Sequence, residues 1–105
     1  MRIIARSTLE RLSKNHQTCV QSLRAWIQEV ENANWSSSGE LKKQFGNASI
    51  INSKRVVFNI KDNNFRLIVD IEYRLKIVFI VWFGTHKEYD KIDVKKIRYD
   101  SSNKK

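Results

Sequence analysis

Proline, glycine and cysteine are scarce in this sequence: there is no proline, and there are three glycines and one cysteine. Cys19 has no second cysteine with which to form an internal disulfide. Because it falls within an apolar helical pattern, we interpret it as a core thiol. Two histidines and one cysteine provide no zinc-ligand set at a recognised spacing. The absence of GxxxxGKS/T and GxGxxG motifs excludes the common nucleotide-binding loops.

Long apolar runs are also missing. The longest covers the seven residues 77–83, whereas a membrane-spanning helix needs about 20. The first residues contain no apolar stretch of the length that a secretory signal requires. We therefore expect a cytoplasmic protein that has no membrane partner.

Positive charge, in contrast, is abundant. Twenty Lys and Arg against eleven Asp and Glu give a formal net charge of +9 on 105 residues. Such an excess attracts polyanions and speeds encounter with them. The candidate partners are nucleic acid, an acidic protein and an anionic membrane surface, of which the membrane is the least favoured.

The apolar pattern changes its period near Gly46. Helical spacing before it predicts helices over about 7–14, 18–32 and 39–45. Alternation and apolar runs after it predict strands over 48–52, 54–60, 65–72 and 77–83, and a terminal helix is predicted over 91–98. We therefore expect an α+β chain with helices first and an antiparallel meander of about four strands second. The length fits one domain, 1–100, followed by a basic tail, 101–105.

Residues with acid–base chemistry follow the apolar run 77–83. Gly84 is expected to permit a bend there, and chain exits from a rigid sheet commonly carry functional groups. His86 can act as a general acid or base near neutral pH, and Tyr89 can bind a phosphate or donate a proton. Lys87 adds positive charge. The alternative is that His86 is a helix-capping or surface residue.

Arginines on two predicted strands form the second candidate group. Arg55 and Arg66 lie on strands that should pair across the turn at 61–64, and both point away from the apolar faces. Lys54 and Asn59 lie nearby. An arginine offers a two-pronged donor for phosphate. The alternative is a solvated sheet face on which the arginines pair with acidic residues of the second strand.

Together these residues fit RNA cleavage without a metal ion or other cofactor. The ribose 2′-OH is the nucleophile, and the reaction needs a base, an acid and positive charge at the phosphate. Basic residues near the C-terminus, including Lys91 and Lys95, would add electrostatic contact with RNA. The alternative function is a module that binds RNA, or DNA as a repressor, without cutting it. No helix-turn-helix is visible, which makes DNA the less favoured ligand.

Two segments, RVVFNI at 55–60 and GTHKEYDKID at 84–93, resemble the HigB toxins. These are ribosome-dependent messenger-RNA endonucleases of type II toxin–antitoxin systems in the RelE-like superfamily. The likeness continues in order over most of the chain, through MRIIARSTL at 1–9, LRAW at 23–26, ANW at 33–35, ASII at 48–51 and NFRLIV at 64–69.

The resemblance implies a RelE-like α+β fold. N-terminal helices would pack on one face of a roughly four-stranded antiparallel sheet with a short C-terminal helix, and the other face would be open to RNA. It also implies metal-independent cleavage of messenger RNA in the ribosomal A site. A HigA-like helix-turn-helix antitoxin would neutralise the toxin, and operator DNA would be bound only through the antitoxin complex.

Residue by residue, the resemblance implies that Arg55, Arg66, His86 and Tyr89 occupy the family's catalytic motif positions. It does not fix which of His86 and Tyr89 is the general base. The residues expected to contact RNA are Lys54, Asn59, Lys87, Lys91 and Lys95. Many relatives have an arginine where this chain has Val81. Another group such as Lys87 or Arg66 must then stabilise charge here, or activity is weaker.

Overall fold

Helices dominate the first half of the chain and strands the second. A computed structural model describes residues 1–14 and 16–98; the predicted tail, 101–105, lies outside the described residues. The strands are β1 Arg2–Ile4, β2 Ser49–Ile50, β3 Arg55–Ile60, β4 Phe65–Glu72 and β5 Ile77–Thr85. The helices are α1 Arg6–Ser13, α2 Val20–Glu31, α3 Ser38–Gln44 and α4 His86–Tyr89, with a short 3-10 turn, Gln17–Cys19, before α2. No helix in this described part is long and apolar enough to cross a bilayer.

The strands form one sheet in the order β1-β5-β4-β3-β2. Strands β2 to β5 form the antiparallel meander that the sequence pattern predicts. Strand β1 adds a fifth, parallel member beside β5, where Arg2 pairs with Ile77 and Ile4 with Phe79. The predicted α+β class is confirmed. The three residues of β1 are too few to show the alternation from which a strand is recognised.

The main core lies between helices α1–α3 and one face of the sheet. Helix α2 buries Leu23, Trp26 and Val30, which recur on one side of a helix. Alternate residues of β3 and β4 supply the opposite wall, and Phe58 meets Trp26 edge-to-face at 5.3 Å between ring centres. Burial of one such large apolar side chain contributes about 1.5–3 kcal/mol. This layer holds the sheet rigid and leaves its other face available for other contacts.

A smaller apolar cluster occupies the second face of the sheet. Its buried members are Val57, Ile68 and Val81. The register of β4 and β5 shifts here, because Ile68 pairs with Trp82 whereas Val69 pairs with Ile80. Val81 is therefore the extra residue of a β-bulge. The bulge accounts for the presence of both Val81 and the adjacent Trp82 in the cluster on the second face.

Residues 90–98, here called the C-terminal strap, cross this second face. The predicted helix over 91–98 is wrong, since the regular helix, α4, ends at Tyr89 and turns follow it. The side chain of Asp93 accepts a hydrogen bond from the backbone N–H of Lys95 at 3.0 Å, and its carbonyl accepts from those of Lys96 and Ile97. Asp93 therefore caps a separate single turn and does not continue α4 as a regular helix. Ile92, Val94 and Ile97 pack on the small cluster. The second face is consequently covered in part, rather than open along its length as expected.

Arg55 fastens the strap to the sheet. Its Nε and Nη2 donate to the two carboxylate oxygens of Asp70 at 2.8 and 2.7 Å. Its Nη1 donates to the carbonyls of Val94 and Ile97. The residue is 8% exposed. The guanidinium that the sequence predicted to contact phosphate is thus engaged within the protein.

Truncation of Phe58 tests the main core. We expect Phe58→Ala to lower the free energy of unfolding by about 3–5 kcal/mol, because a buried aromatic is replaced by a cavity. Urea denaturation measures the change. Leu75→Ala is the control, since Leu75 is 61% exposed. Its effect should stay within about 0.5 kcal/mol. Equal, small effects of the two substitutions would contradict this description of the core.

Replacement of Arg55 tests the strap. We expect Arg55→Ala to lower the free energy of unfolding by about 3 kcal/mol, because it leaves Asp70 without its partner and frees two carbonyls. Trypsin should then cut after Lys95 or Lys96 faster than in the wild type. Arg55→Lys keeps the charge but not the two-pronged contact. Its free energy of unfolding and its rate of trypsin cleavage should therefore lie between those of the wild type and Arg55→Ala. The control is Arg24→Ala, on the exposed side of α2. A strap that stays equally protected in Arg55→Ala would refute the fastening role.

Candidate functional site

Helix α4 is only four residues long and is held by a capping box. The Thr85 hydroxyl accepts from the N–H of Glu88 at 3.1 Å, and Glu88 Oε1 accepts from the N–H of Thr85 at 2.8 Å. The N–H of His86 also donates to the carbonyl of Asn64 at 3.0 Å. These contacts fix a helix that is too short to persist alone. The pattern Thr-x-x-Glu at 85–88 carries this signal in the sequence, and our reading of the sequence missed it.

Gly84 serves a purpose other than the predicted bend. Strand β5 continues through it to Thr85, and its φ is not positive. A Cβ at this position would lie 2.6 Å from the Trp82 ring and 2.7 Å from Glu88 Oε1. Glycine is therefore needed because the indole and the capping carboxylate both approach the backbone here. The expectation of a bend is wrong, and the functional role of the residues that follow the strand stays a prediction.

Arg66 lies beside Tyr89 at this end of the second face. In the sheet it pairs with Asn59 of β3 and with Gly84 of β5. Its guanidinium carbon is 5.7 Å from the centre of the Tyr89 ring, and that ring is 6.4 Å from Trp82. A cation over an aromatic face at this distance is attracted to it. The register and the ring contact together position the guanidinium.

The donors of Arg66 are only partly used. Its Nη1 donates to the carbonyls of Asn63 at 2.8 Å and Phe65 at 3.3 Å. Neither contact involves a carboxylate, in contrast to Arg55, so the positive charge of Arg66 is not neutralised by them. Among the residues described, Arg66 forms no ion pair. Its charge is therefore available to an anion from outside the protein.

His86 begins the same helical turn that carries Tyr89. Its side chain is 55% exposed, and its Nδ1 lies 3.8 Å from Asp90 Oδ1. That distance is too long for a hydrogen bond. Lys87, also exposed, follows it directly. Positions i and i+3 of a helix are neighbours, so the imidazole and the phenol both belong to the end of the sheet where Arg66 lies.

The structure divides the nine predicted site residues into two groups. Around α4 and the neighbouring strand ends lie Asn59, Arg66, His86, Lys87, Tyr89 and Lys91. At the opposite end of the same face lie Lys54, Arg55 and Lys95, which line one cleft. Arg55 pairs with Asp70 of β4. Asp70 is four residues from Arg66 along the same strand, and four residues span about 13 Å at the usual strand rise. The two arginines therefore do not meet at one site, and the catalytic role of Arg55 stays a prediction.

Val81 supplies packing at the bulge and no charge. It is 1% exposed and belongs to the small cluster with Val57 and Ile68. The guanidinium beside Tyr89 on this face therefore comes from Arg66 and not from position 81. Asn59, next to it in the register, directs its amide to the carbonyl of Asn47 at 3.1 Å.

The remaining reactive groups lie in the interior or at its edge. Cys19 is fully buried and donates to the carbonyl of His16 at 3.0 Å, and burial raises the pKa of its thiol. The prediction of a core thiol is confirmed. His16 packs edge-on against Phe65, with 5.0 Å between the ring centres. Residues 1–14 and 16–98 contain no group of three or more His, Cys, Asp or Glu side chains that could hold a metal ion.

Comparison with known proteins identifies the family. No curated protein matches the chain. The family model described as HigB toxin, RelE-like toxic component of a toxin–antitoxin system, matches residues 19–92. The match covers more than two thirds of the chain, from the 3-10 turn before α2 to the start of the strap, and it includes Arg66, His86 and Tyr89. This chain belongs to the HigB toxin family, the RelE-like toxic components of toxin–antitoxin systems.

Proposed function

We propose that this toxin is an endonuclease that cuts translated messenger RNA on the ribosome and thereby inhibits translation. The observation that carries the proposal is an arginine without an ion pair among the described residues, beside a tyrosine on the helical turn that His86 begins, in a member of this family. The Arg66 guanidinium lies 5.7 Å from the centre of the Tyr89 ring, and His86 begins the helical turn that carries Tyr89. Residues 1–100 would form the toxin domain.

These groups match the needs of attack by the ribose 2′-OH. A base takes the 2′-OH proton, the 2′-oxygen bonds to phosphorus, and the bond from phosphorus to the 5′-oxygen breaks. An acid gives a proton to that leaving oxygen, and the products carry a 2′,3′-cyclic phosphate and a 5′-hydroxyl. His86 and Tyr89 divide the two proton transfers. Arg66 balances the charge that builds on the phosphate.

The shape of the site supports dependence on the ribosome. Within the described part of the chain, the His86 side chain is 55% exposed, Lys87 is exposed, and Arg66 and Tyr89 are half-buried, so the site lies open to solvent at the end of the sheet. Precise placement of the 2′-oxygen and phosphorus contributes much of the rate in such reactions. An open surface gives little of that placement alone, so a partner that presents a fixed single strand must provide it. A translating ribosome in the cytoplasm is such a partner.

Charge supports the contacts on either side of the reacting phosphate. Lys87 and Lys91 flank His86 and Tyr89, and both are exposed. Together with Asn59 they would contact the message near the cut. Lys54 and Lys95 would contact RNA at the other end of the face. Arg55 would act on cleavage through the strap that it holds.

Membership of the family implies an antitoxin partner. We propose that this partner is a HigA-like helix-turn-helix protein and that operator DNA is bound only by the complex. The net charge of +9 favours a partner with an acidic surface.

The second candidate is an RNA-binding module that does not cut. One observation favours it. Val81 is buried and offers no guanidinium at a position where many HigB relatives carry arginine. In that case the surface around Arg66 would hold RNA by charge and by stacking on Tyr89 and Trp82, without reaction.

Substitutions at the site test the cleavage. Primer extension on messages from translating ribosomes should show discrete cuts with the wild type and none without ribosomes. We expect Arg66→Ala, His86→Ala and Tyr89→Phe each to lower the cutting rate by about 100-fold or more, the usual loss for a proton-transfer group or a charge stabiliser. Arg74→Ala, at the exposed turn between β4 and β5, is the matched control and should keep full activity.

Each variant should remain folded, because the three side chains lie outside the main core. Circular dichroism and urea denaturation check this. An intact message with a folded wild type would favour the binding module. Loss of folding in Arg66→Ala or His86→Ala would show that the residue is structural.

Substitution in the RNA tests the nucleophile. A message with a single 2′-deoxyribose at a mapped cut should resist cleavage there, because the attacking oxygen is missing, and the neighbouring cuts should persist. Wild-type products should end in a cyclic phosphate, which is measured by mass spectrometry of the fragments. Equal cutting at the deoxy position would exclude 2′-OH attack.

A further inference from the structure

A second basic surface lies at the far end of the sheet face from Arg66. Here a cleft of about 580 Å³, called the basic cleft below, opens between the turn at 52–54 and the C-terminal strap. Lys54 stands on the turn side. Lys95, Lys96 and Arg98 stand on the strap side, and the Arg55–Asp70 pair also lines the cleft.

The walls of this cleft are fixed at the level of the backbone. Asn52 Oδ1 accepts from the N–H groups of Lys54 at 3.0 Å and Arg55 at 2.8 Å, which shapes the turn. The opposite wall is held because Arg55 donates to the carbonyls of Val94 and Ile97. The exposed lysines therefore project from two anchored segments.

The charge within the cleft is unbalanced. Asp70 is the one carboxylate among its lining residues in the described chain, and the two-pronged contact with Arg55 already neutralises it. None of the four other cations forms an ion pair within residues 1–14 and 16–98. Four positive charges around one opening hold a concentrated positive potential, which attracts an anion.

The position of the cleft relates it to the candidate site. Asp70 and Arg66 lie on the same side of β4, about 13 Å apart along the strand. Between them the strap packs over Val57, Ile68 and Val81, and these three residues are buried. A flexible polyanion bound at Arg66 can therefore continue along the strap to the cleft.

We propose that the basic cleft binds backbone phosphate of the same single-stranded RNA that occupies the Arg66 end, a few nucleotides from the reacting phosphate. This inference rests on the proposed function for the identity of the ligand. Lysines act as point charges on phosphate and read no base, so the cleft contributes affinity and direction to the strand but no sequence preference. The strap, fastened by Arg55, positions one wall of this second subsite.

Binding of uncleavable RNA tests the cleft. The probe is single-stranded 2′-O-methyl RNA, whose nucleophile is blocked, in lengths of about 4 and about 12 nucleotides. Fluorescence anisotropy at several salt concentrations gives the affinity and its salt slope. For the wild type we expect the longer strand to bind at least tenfold more tightly, with a steeper slope, because it reaches both ends of the face.

The variant is Lys95→Gln/Lys96→Gln, and the control is Lys14→Gln/Lys43→Gln, which removes the same charge from the exposed ends of α1 and α3. For the longer strand we expect the cleft variant to bind about tenfold more weakly than the wild type. The slope of log K against log salt concentration should become shallower by about 1.4, because each of the two lost phosphate contacts contributes about 0.7. The control should keep the wild-type slope. Circular dichroism confirms that both variants are folded.

Three outcomes would overturn the inference. Equal affinity of the wild type for both lengths would mean that the strand does not reach the cleft. An equal loss of RNA affinity in the cleft variant and the control would mean that binding depends on the net charge of the protein and not on the cleft. A larger loss on a duplex hairpin than on the single strand would assign the cleft to structured RNA. Because the probe cannot be cut, failure of the cleavage assay with this length dependence intact would refute the nuclease and leave the cleft standing.

Discussion

The contact between Arg55 and Asp70 organises the second face of the sheet. One guanidinium joins two strands through Asp70 and holds the C-terminal strap through two carbonyls. The strap in turn covers the apolar cluster around Ile68, which would otherwise be exposed beside α4. A buried ion pair adds little net stability when it is compared with an apolar pair, but loss of one partner is costly. The pair therefore acts mainly as a constraint on where the strap runs. With the strap in place, the face is left with two separate polar ends.

The candidate site depends on a second constraint, the tight packing at the end of β5. Gly84 leaves room for the Trp82 ring and the Glu88 carboxylate, and that carboxylate caps the single turn of α4. His86 and Tyr89 are thereby fixed relative to Arg66 by backbone contacts, although all three side chains stay partly exposed. Rigid backbone with exposed functional groups suits a protein whose substrate is presented by another body. It does not suit an enzyme that must enclose a small molecule.

Much of this arrangement follows from the sequence, and the exceptions have physical causes. Alternation in β3 and β4 gave the meander and correctly directed Arg55 and Arg66 away from the main core. It could not distinguish the two arginines, because a face is set by alternation whereas a partner is set by register. Register places Arg55 opposite Asp70 and Arg66 opposite Asn59 and Gly84. The predicted helix over 91–98 is replaced by turns, because Asp93 caps a separate turn and Ile92, Val94 and Ile97 pack on the sheet. This tertiary packing is not visible in the local sequence of the strap. Strand β1 escaped notice because its stability comes from β5, far along the chain.

The separation of the two arginines gives them different roles in the proposed function. A residue can be required for RNA cleavage because it touches the phosphate or because it holds a segment that does. Arg66 has an uncompensated charge beside Tyr89 and fits the first role. Arg55 has its donors engaged by Asp70 and the strap and fits the second. The same strap carries Lys95 and Lys96, so the hydrogen bonds that withdraw Arg55 from direct contact also place two other cations at the surface. A protein of this size can in this way extend a basic track over both ends of one sheet face without an additional element.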